Sequence, residues 1–160
     1  MEYIRSLESD LTDDGCFLCR YWREPEADGT NHVVWRKPST FVVMNRFPYS
    51  NGHLLVSLSE HKSDMSELTE DELLEMTRTI RDSLEVLRAT LQPQGFNVGY
   101  NVGRCAGAGL PGHLHAHVVP RWSGDTNFMA VIGGTRIVPD SLDALYVELQ
   151  KSAAASGLRR

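Results

Sequence analysis

The chain has 160 residues, 41% hydrophobic and 23% charged, with 21 Asp and Glu against 16 Lys and Arg for a formal charge of −5. That is the composition of one globular domain, able to bury about two thirds of its unfolded surface without disulfides, which excludes a disordered chain. The acidic balance argues against bulk nucleic-acid binding, which needs a basic face, and leaves open a local site for a small anion. No apolar run approaches the roughly 18 residues that cross a bilayer, and the opening MEYIRSLESD has no signal-peptide core. A cytoplasmic protein with no membrane partner is the expectation, its three cysteines thiols or metal ligands before they are disulfides.

Residues 1–14 are read as an N-terminal segment, 15–150 as the single domain and 151–160 as a small, polar, flexible tail. Cys16-Phe-Leu-Cys19 is followed by a polar, turn-rich stretch over 20–32, read as a loop. Val33–Arg36 and Phe41–Asn45 read as strands split by Lys37-Pro38. Asn51-Gly52 is a hairpin-type turn signal before a strand at His53–Leu58, antiparallel to 41–45. Thr69–Leu91 is the clearest helix. Thr69-x-x-Glu72 is its capping box, and Leu73, Met76, Ile80, Leu84, Leu87 and Leu91 recur at helical spacing as a core stripe. Pro93 and Gly95 end it. The acidic stretch Glu67–Glu75 reads as a solvated helix face. Gly95–Asn101 alternates as a half-buried strand, Leu114–Pro120 reads as another strand, and Ser141–Gln150 reads as a short helix. Adjacent strands around one long helix predict an α+β fold: an antiparallel sheet of about five strands with one long and one short helix. The literal G-x-G-x-x-G at Gly107, Gly109 and Gly112 is no dinucleotide fingerprint. Pro111 and a strand follow it where a helix should open.

His113, His115 and His117 lie two residues apart in GHLHAHVVPRW. On a strand all three face one side, while Leu114, Ala116 and Val118 face the other and enter the core. Three same-face imidazoles admit three readings: polar surface, a three-His catalytic zinc site with an open position, or nucleophilic catalysis by one imidazole with neighbours that orient it. The Cys-x-x-Cys is by itself ambiguous between redox, zinc and two packed thiols.

The run HLHAHVV resembles the signature of the histidine triad superfamily of nucleotide hydrolases and transferases. Phe41–Leu58, with Asn45 and Gly52-His53, resembles that superfamily's nucleotide-binding hairpin, and GFNVGYNVG leading to AGAGLPG resembles its loop before the triad. The resemblance covers about residues 15–128. It is closest to the bacterial branch that phosphorolyses diadenosine tetraphosphate, through Pro120–Phe128 (PRWSGDTNF) and Ile132–Pro139 (IGGTRIVP).

The resemblance implies roles for residues. His115 is the nucleophile on an α-phosphorus, giving a nucleotidyl-histidine intermediate that water or inorganic phosphate resolves. Its other ring nitrogen donates to a backbone carbonyl from the loop around Gly107. His117 bonds the reacting phosphate oxygens or assists the leaving oxygen. Gly107 and Gly109 bring backbone N–H groups to phosphate. Asn101 contacts phosphate, and Asn45 reads ribose hydroxyls. His53 either lines the phosphate site or is an exposed turn residue. Cys16, Cys19, His61 and His113 form a structural Cys₂His₂ zinc site. The partners implied are a nucleotide or dinucleoside polyphosphate substrate, inorganic phosphate, and a second copy in a homodimer. Two departures stand out. Gly107-Ala108-Gly109 replaces the Gly-Gln-Ser or Gly-Gln-Thr of many relatives, and the loop is about one residue longer at Pro111-Gly112. Two other functions compete: a nucleoside phosphoramidate or adenylyl-amine hydrolase of the same superfamily, and a nucleotide-binding regulatory module with little turnover. Outside the motif, Arg121 is a candidate for a distal phosphate and Trp122 for a partner subunit. His32 is a loop residue, and Cys105 a buried, inert thiol.

Overall fold

The alternation around the three histidines decides the architecture. In the computed structural model, which describes residues 15–125 and 141–158, His115–Arg121 forms strand β5. Leu114, Ala116 and Val118 enter one hydrophobic core, and the odd-numbered residues face the opposite side. Before β5 come the short helices α1 (Phe17–Arg23) and α2 (Asp28–Asn31), strands β1 (Val33–Arg36), β2 (Thr40–Met44) and β3 (Leu54–Leu58), helix α3 (Glu70–Leu91) and strand β4 (Gly95–Tyr100). Helix α4 (Leu142–Ala155) follows it.

The five strands form one antiparallel sheet in the order β1-β2-β3-β5-β4. This is the α+β architecture that the strand and helix patterns predict. Its register pairs Leu55 with His117 and Ser57 with His115 on one side of β5, and Gly99 with His117 on the other. Helices α3 and α4 cover one face over Trp35, Val42, Leu54, Val56 and Leu58. A smaller cluster of Leu18, Tyr21, Val33, Phe41, Val43, Leu55 and Leu110 packs α1 against the other face. No helix among the described residues is long and apolar enough to cross a membrane.

Three local readings need correction. The core stripe of α3 is offset from the leucine series: Met76, Thr79, Ser83, Val86 and Leu87 are buried, while Ile80, Leu84 and Leu91 pack at its margin. Small hydroxyl residues let the helix sit close to the sheet because neighbours satisfy them. Thr79 shares a hydrogen bond with Thr40, and the Ser83 hydroxyl donates to the carbonyl of Thr79. The stretch 20–32 is largely helical instead of a loop. Arg36 holds it from a distance, donating to the carbonyls of Tyr21 and Trp22 at the end of α1 and to the Asp28 carboxylate. Finally, α4 runs on to Ala155 with Ala153 buried, so residues 151–155 belong to the packed domain and not to a flexible tail.

Gly52 explains how the hairpin before β3 is pinned. Its φ is +76°, and a Cβ there would collide with the Leu91 side chain and stand 3.2 Å from Leu87. Replacing it with alanine therefore strains the backbone and pushes the turn off α3. We expect Gly52→Ala to lose about 1–3 kcal/mol of stability in urea unfolding. A loss below about 0.5 kcal/mol, the scale of ordinary surface substitutions, contradicts this account.

Candidate active site and metal-ligating cluster

The three histidines, two on β5 and one just before it, divide into two groups. His113 belongs to one, and His115 and His117 to the other.

His115 is buried, and its Nδ1 lies 2.8 Å from the carbonyl oxygen of His113. A carbonyl only accepts, so Nδ1 carries the proton and Nε2 presents a lone pair. The acceptor is thus the carbonyl of the residue two positions back on the same strand, not one in the loop around Gly107. The tautomer of His117 follows from a longer chain. The backbone N–H of Tyr49 donates to Nδ1 of His53 at 3.1 Å, which places the proton of His53 on Nε2. That nitrogen is 2.9 Å from Nδ1 of His117. His117 therefore accepts at Nδ1 and carries its own proton on Nε2, 3.3 Å from the Asn101 amide, whose oxygen must then turn toward it. The two neighbouring imidazoles, 5.0 Å apart between ring centres, end in opposite states: a lone pair on His115 and an N–H on His117.

His53 is 1% exposed. It is a buried pivot, and the reading of an exposed turn residue falls. Asn45 bonds His53 through Nδ2 and accepts from the Phe47 N–H through Oδ1. The hairpin thus orients the strand histidine through Asn45, Tyr49 and His53.

Burial lowers the pKa of His115, partly opposed by its bond to the His113 carbonyl. Burial first, and then the nearby His115, pushes His117 down to about 4. Both rings stay neutral through the physiological range. If these rings carry turnover, the acid limb of kcat/KM should lie below 6.5, the ordinary imidazole value, because burial lowers both groups. A pH–rate profile with its acid limb centred at 6.5 contradicts this. The same shift has a stability consequence. Between about pH 6.5 and 4 the unfolded chain takes up a proton on His117 that the fold refuses, so stability falls as pH drops through that window.

Two hollows flank this pair. One, of about 260 Å³, is lined by Phe17, Arg20, Tyr21, Met44, Asn45, Arg46, Phe47 and Leu55. Its aromatic and aliphatic walls, with one amide and the Arg20 and Arg46 side chains, suit a flat base and a sugar. Only Asn45 among these was legible beforehand. Phe17, Arg20 and Tyr21 come from α1 and Arg46 and Phe47 from the exposed turn after β2, where no periodicity marks them; Met44 and Leu55 lie on strands β2 and β3. The second hollow, of about 220 Å³, lies on the other side of Tyr49. Gly107 has φ +83°, and neither it nor Gly109 has any atom within 4 Å of where a Cβ would stand. Buried Leu110 seats their loop on the α1 side of the sheet. No described hydrogen bond joins these two glycines to the imidazoles.

The second group is made of Cys16, Cys19, His61 and His113, whose ligand atoms all lie within 4.8 Å of one another. Cys16 caps α1 and Cys19 lies within it, His61 follows β3, and His113 precedes β5. His113 Nδ1 is 3.3 Å from Cys16 Sγ and 3.2 Å from Cys19 Sγ, and His61 Nδ1 is 3.3 Å from Cys19 Sγ. The far side of His113 explains its readiness to ligate. Its Nε2 is 3.0 Å from the carbonyl of Leu58, so the proton sits there and Nδ1 turns a lone pair toward the thiols.

Other candidates fall elsewhere. His32 bonds Asp143 on the helical side, away from the triad. Cys105 is exposed, not buried. Arg121 spends Nε and one terminal nitrogen on Asp125 and the other on Asn97, so its guanidinium is already engaged. Asn127, Phe128 and Ile132–Pro139 lie outside the described residues.

The profile of the HIT domain matches residues 26–124. The chain belongs to the HIT domain family. Its HIT domain is 40% identical over 116 residues to a protein of Mycobacterium tuberculosis named AP-4-A phosphorylase, covering 72% of this chain and 60% of that one. It is 27% identical over 122 residues to the asymmetrical bis(5'-nucleosyl)-tetraphosphatase of Schizosaccharomyces pombe, covering 76% and 59%. The chain thus spans less than two thirds of either relative. Among solved structures, a Zn-bound histidine triad family protein from Mycobacterium smegmatis superposes with a TM-score of 0.73 at 22% identity, covering 91% of this chain and 98% of that one. A histidine triad nucleotide-binding protein from Sulfolobus tokodaii gives 0.71 at 23%, covering 88% and 93%. The HIT fold is common to this chain and the two solved structures.

Proposed function

We propose that this HIT domain transfers a nucleotidyl group from dinucleoside polyphosphates through an adduct on His115. The observation that carries the reading is the pair of opposite tautomers. His115 Nε2 attacks the α-phosphorus, a P–N bond forms, and the P–O bond to the polyphosphate leaving group breaks. A leaving nucleotide departs as a phosphate anion and needs no proton. The N–H of His117 donates to a phosphate oxygen as charge builds there. Oxygen of inorganic phosphate or water then attacks phosphorus, the P–N bond breaks and His115 is restored. The 260 Å³ hollow takes the first nucleoside, with Asn45 at its ribose, and the backbone around Gly107 and Gly109 approaches the phosphates. The names of the M. tuberculosis and S. pombe relatives support this substrate class.

Cys16, Cys19, His61 and His113 fit a zinc ion. Two thiols and two imidazole nitrogens, one with its proton parked on a carbonyl, are a tetrahedral donor set. Such an ion would tie α1 to the start of β5. A homodimer is part of the same proposal. Among the described residues strand β4 is a sheet edge, with Val98 on it and Val102 just after it exposed, the kind of edge a second copy covers; light scattering at the monomer mass counts against it.

Product analysis with diadenosine tetraphosphate tests the reaction. ADP plus ATP, formed only with inorganic phosphate present, is the result for a phosphorylase. AMP plus ATP without phosphate makes it an asymmetric hydrolase. No turnover under either condition overturns the reading and favours amine adenylates or a binding module.

A further inference from the structure

Strand β5 continues past the catalytic pair on the same face. Val119 and Arg121 lie two and four residues beyond His117, about 7 and 14 Å along the strand. Beside them on β4, Gly99 pairs with His117, Asn97 with Val119 and Gly95 with Arg121. Gly99 has no atom within 4 Å of where a Cβ would stand. Past the bare Gly99, with the Tyr49 ring alongside His117, the same face leads to the 220 Å³ hollow lined by Tyr49, Ser50, Asn97, Val119, Arg121 and Asp125.

The chemistry of that hollow is not that of a phosphate site. Arg121 is held by both carboxylate oxygens of Asp125, at 2.6 and 2.8 Å, and by the Asn97 amide oxygen at 2.6 Å. Its charge is cancelled in place, and a further anion would meet the Asp125 carboxylate as well as the guanidinium. What remains is hydrogen-bonding capacity: Ser50, the Asn97 amide and Asp125, which also accepts from the Trp122 N–H. There is also an aromatic wall. The Tyr49 ring stacks on His117 at 5.9 Å with an interplanar angle of 21°, yet is 55% exposed. An aromatic face with donors and acceptors whose charges are already paired with one another suits a nucleoside. The charged leaving chain would cross the sheet face between the histidines and this hollow.

We infer that this hollow is a subsite for the second nucleoside, the one carried off on the polyphosphate leaving group. It makes the enzyme choose dinucleoside over mononucleoside polyphosphates. The inference rests on the nucleotidyl-transfer reading above and names the part of the substrate that reading leaves unplaced. The span from His117 to Arg121 also matches the reach of a short polyphosphate better than that of a single phosphate, so longer bridges should be preferred to a diphosphate.

The test compares kcat/KM for diadenosine tetraphosphate and for adenosine 5'-tetraphosphate. The second has the same four phosphates and lacks the second nucleoside. Wild type should favour the dinucleoside. Asn97→Phe, which fills the hollow from an exposed edge position, and Asp125→Asn should each lower that preference about tenfold, the scale of losing one or two good contacts. An unchanged ratio in both variants overturns the subsite, including the case where both substrates slow equally, as a structural role predicts. Equal turnover of the two substrates by wild type overturns it too. A wild type that turns over neither substrate overturns the nucleotidyl-transfer reading itself, and the subsite with it.

Discussion

His115→Ala should lower kcat about 10⁴-fold or more, the scale of removing a covalent nucleophile, while the protein stays folded. Among the described residues the side chain makes one hydrogen bond, to the His113 carbonyl. Its loss should cost no more than about 1–3 kcal/mol, the range for a buried acceptor left unpaired. Melting temperature and activity thus separate. His117→Ala should be milder, about 10²–10³-fold, because in the proposed mechanism it removes one donor to the developing charge and leaves the attacking atom in place. The ordering is the discriminating result. Rapid quenching of wild type with labelled dinucleotide should trap label on protein, and His115→Ala should trap none. A His115→Ala enzyme within tenfold of wild type sinks the adduct mechanism, whatever happens at His117.

The sequence made part of this site legible because the relevant chemistry is periodic. Two-residue spacing put His113, His115 and His117 on one face before any coordinates, and Leu114, Ala116 and Val118 on the other, where they meet the core. The Cys-x-x-Cys with His61 and His113 was legible as a ligand set only by resemblance, since its members are up to 97 residues apart. Three features had no local signal. The acceptor for His115 is a main-chain carbonyl, which no side-chain pattern reveals. His53 is a buried pivot because an N–H of the turn reaches its ring, a contact between residues four apart that depends on the turn's shape. Helix α1, which walls the 260 Å³ hollow, is seven residues long and is held by Arg36 from β1. So short a helix has little stability of its own, and composition reads it as loop.

Disrupting the Cys/His cluster should be felt first as instability and second at the histidine pair. With a bound ion, Cys16→Ala leaves three ligands for a site that closes with four. Metal release should remove several kcal/mol and lower the melting temperature by about 10 °C or more, since structural metal binding is folding free energy. The same loss should reach catalysis through one residue. The His113 ring faces the thiols, and its carbonyl sets the proton on His115. A shift of that residue disturbs the tautomer without touching the nucleophile, so kcat should fall about 10–100-fold, as for other groups that orient a ligand or base. His113→Ala sharpens the point because it deletes the ring and keeps the carbonyl. It should lose metal as Cys16→Ala does, with activity falling only as far as the backbone moves. Conversely, His115→Ala should keep one metal per chain. Elemental analysis of the three variants beside wild type decides between the readings of the triad. Metal lost in His115→Ala but kept in Cys16→Ala would return the three histidines to a catalytic zinc site. The opposite pattern leaves His113 as the hinge between a stabilising cluster and the imidazole beside it.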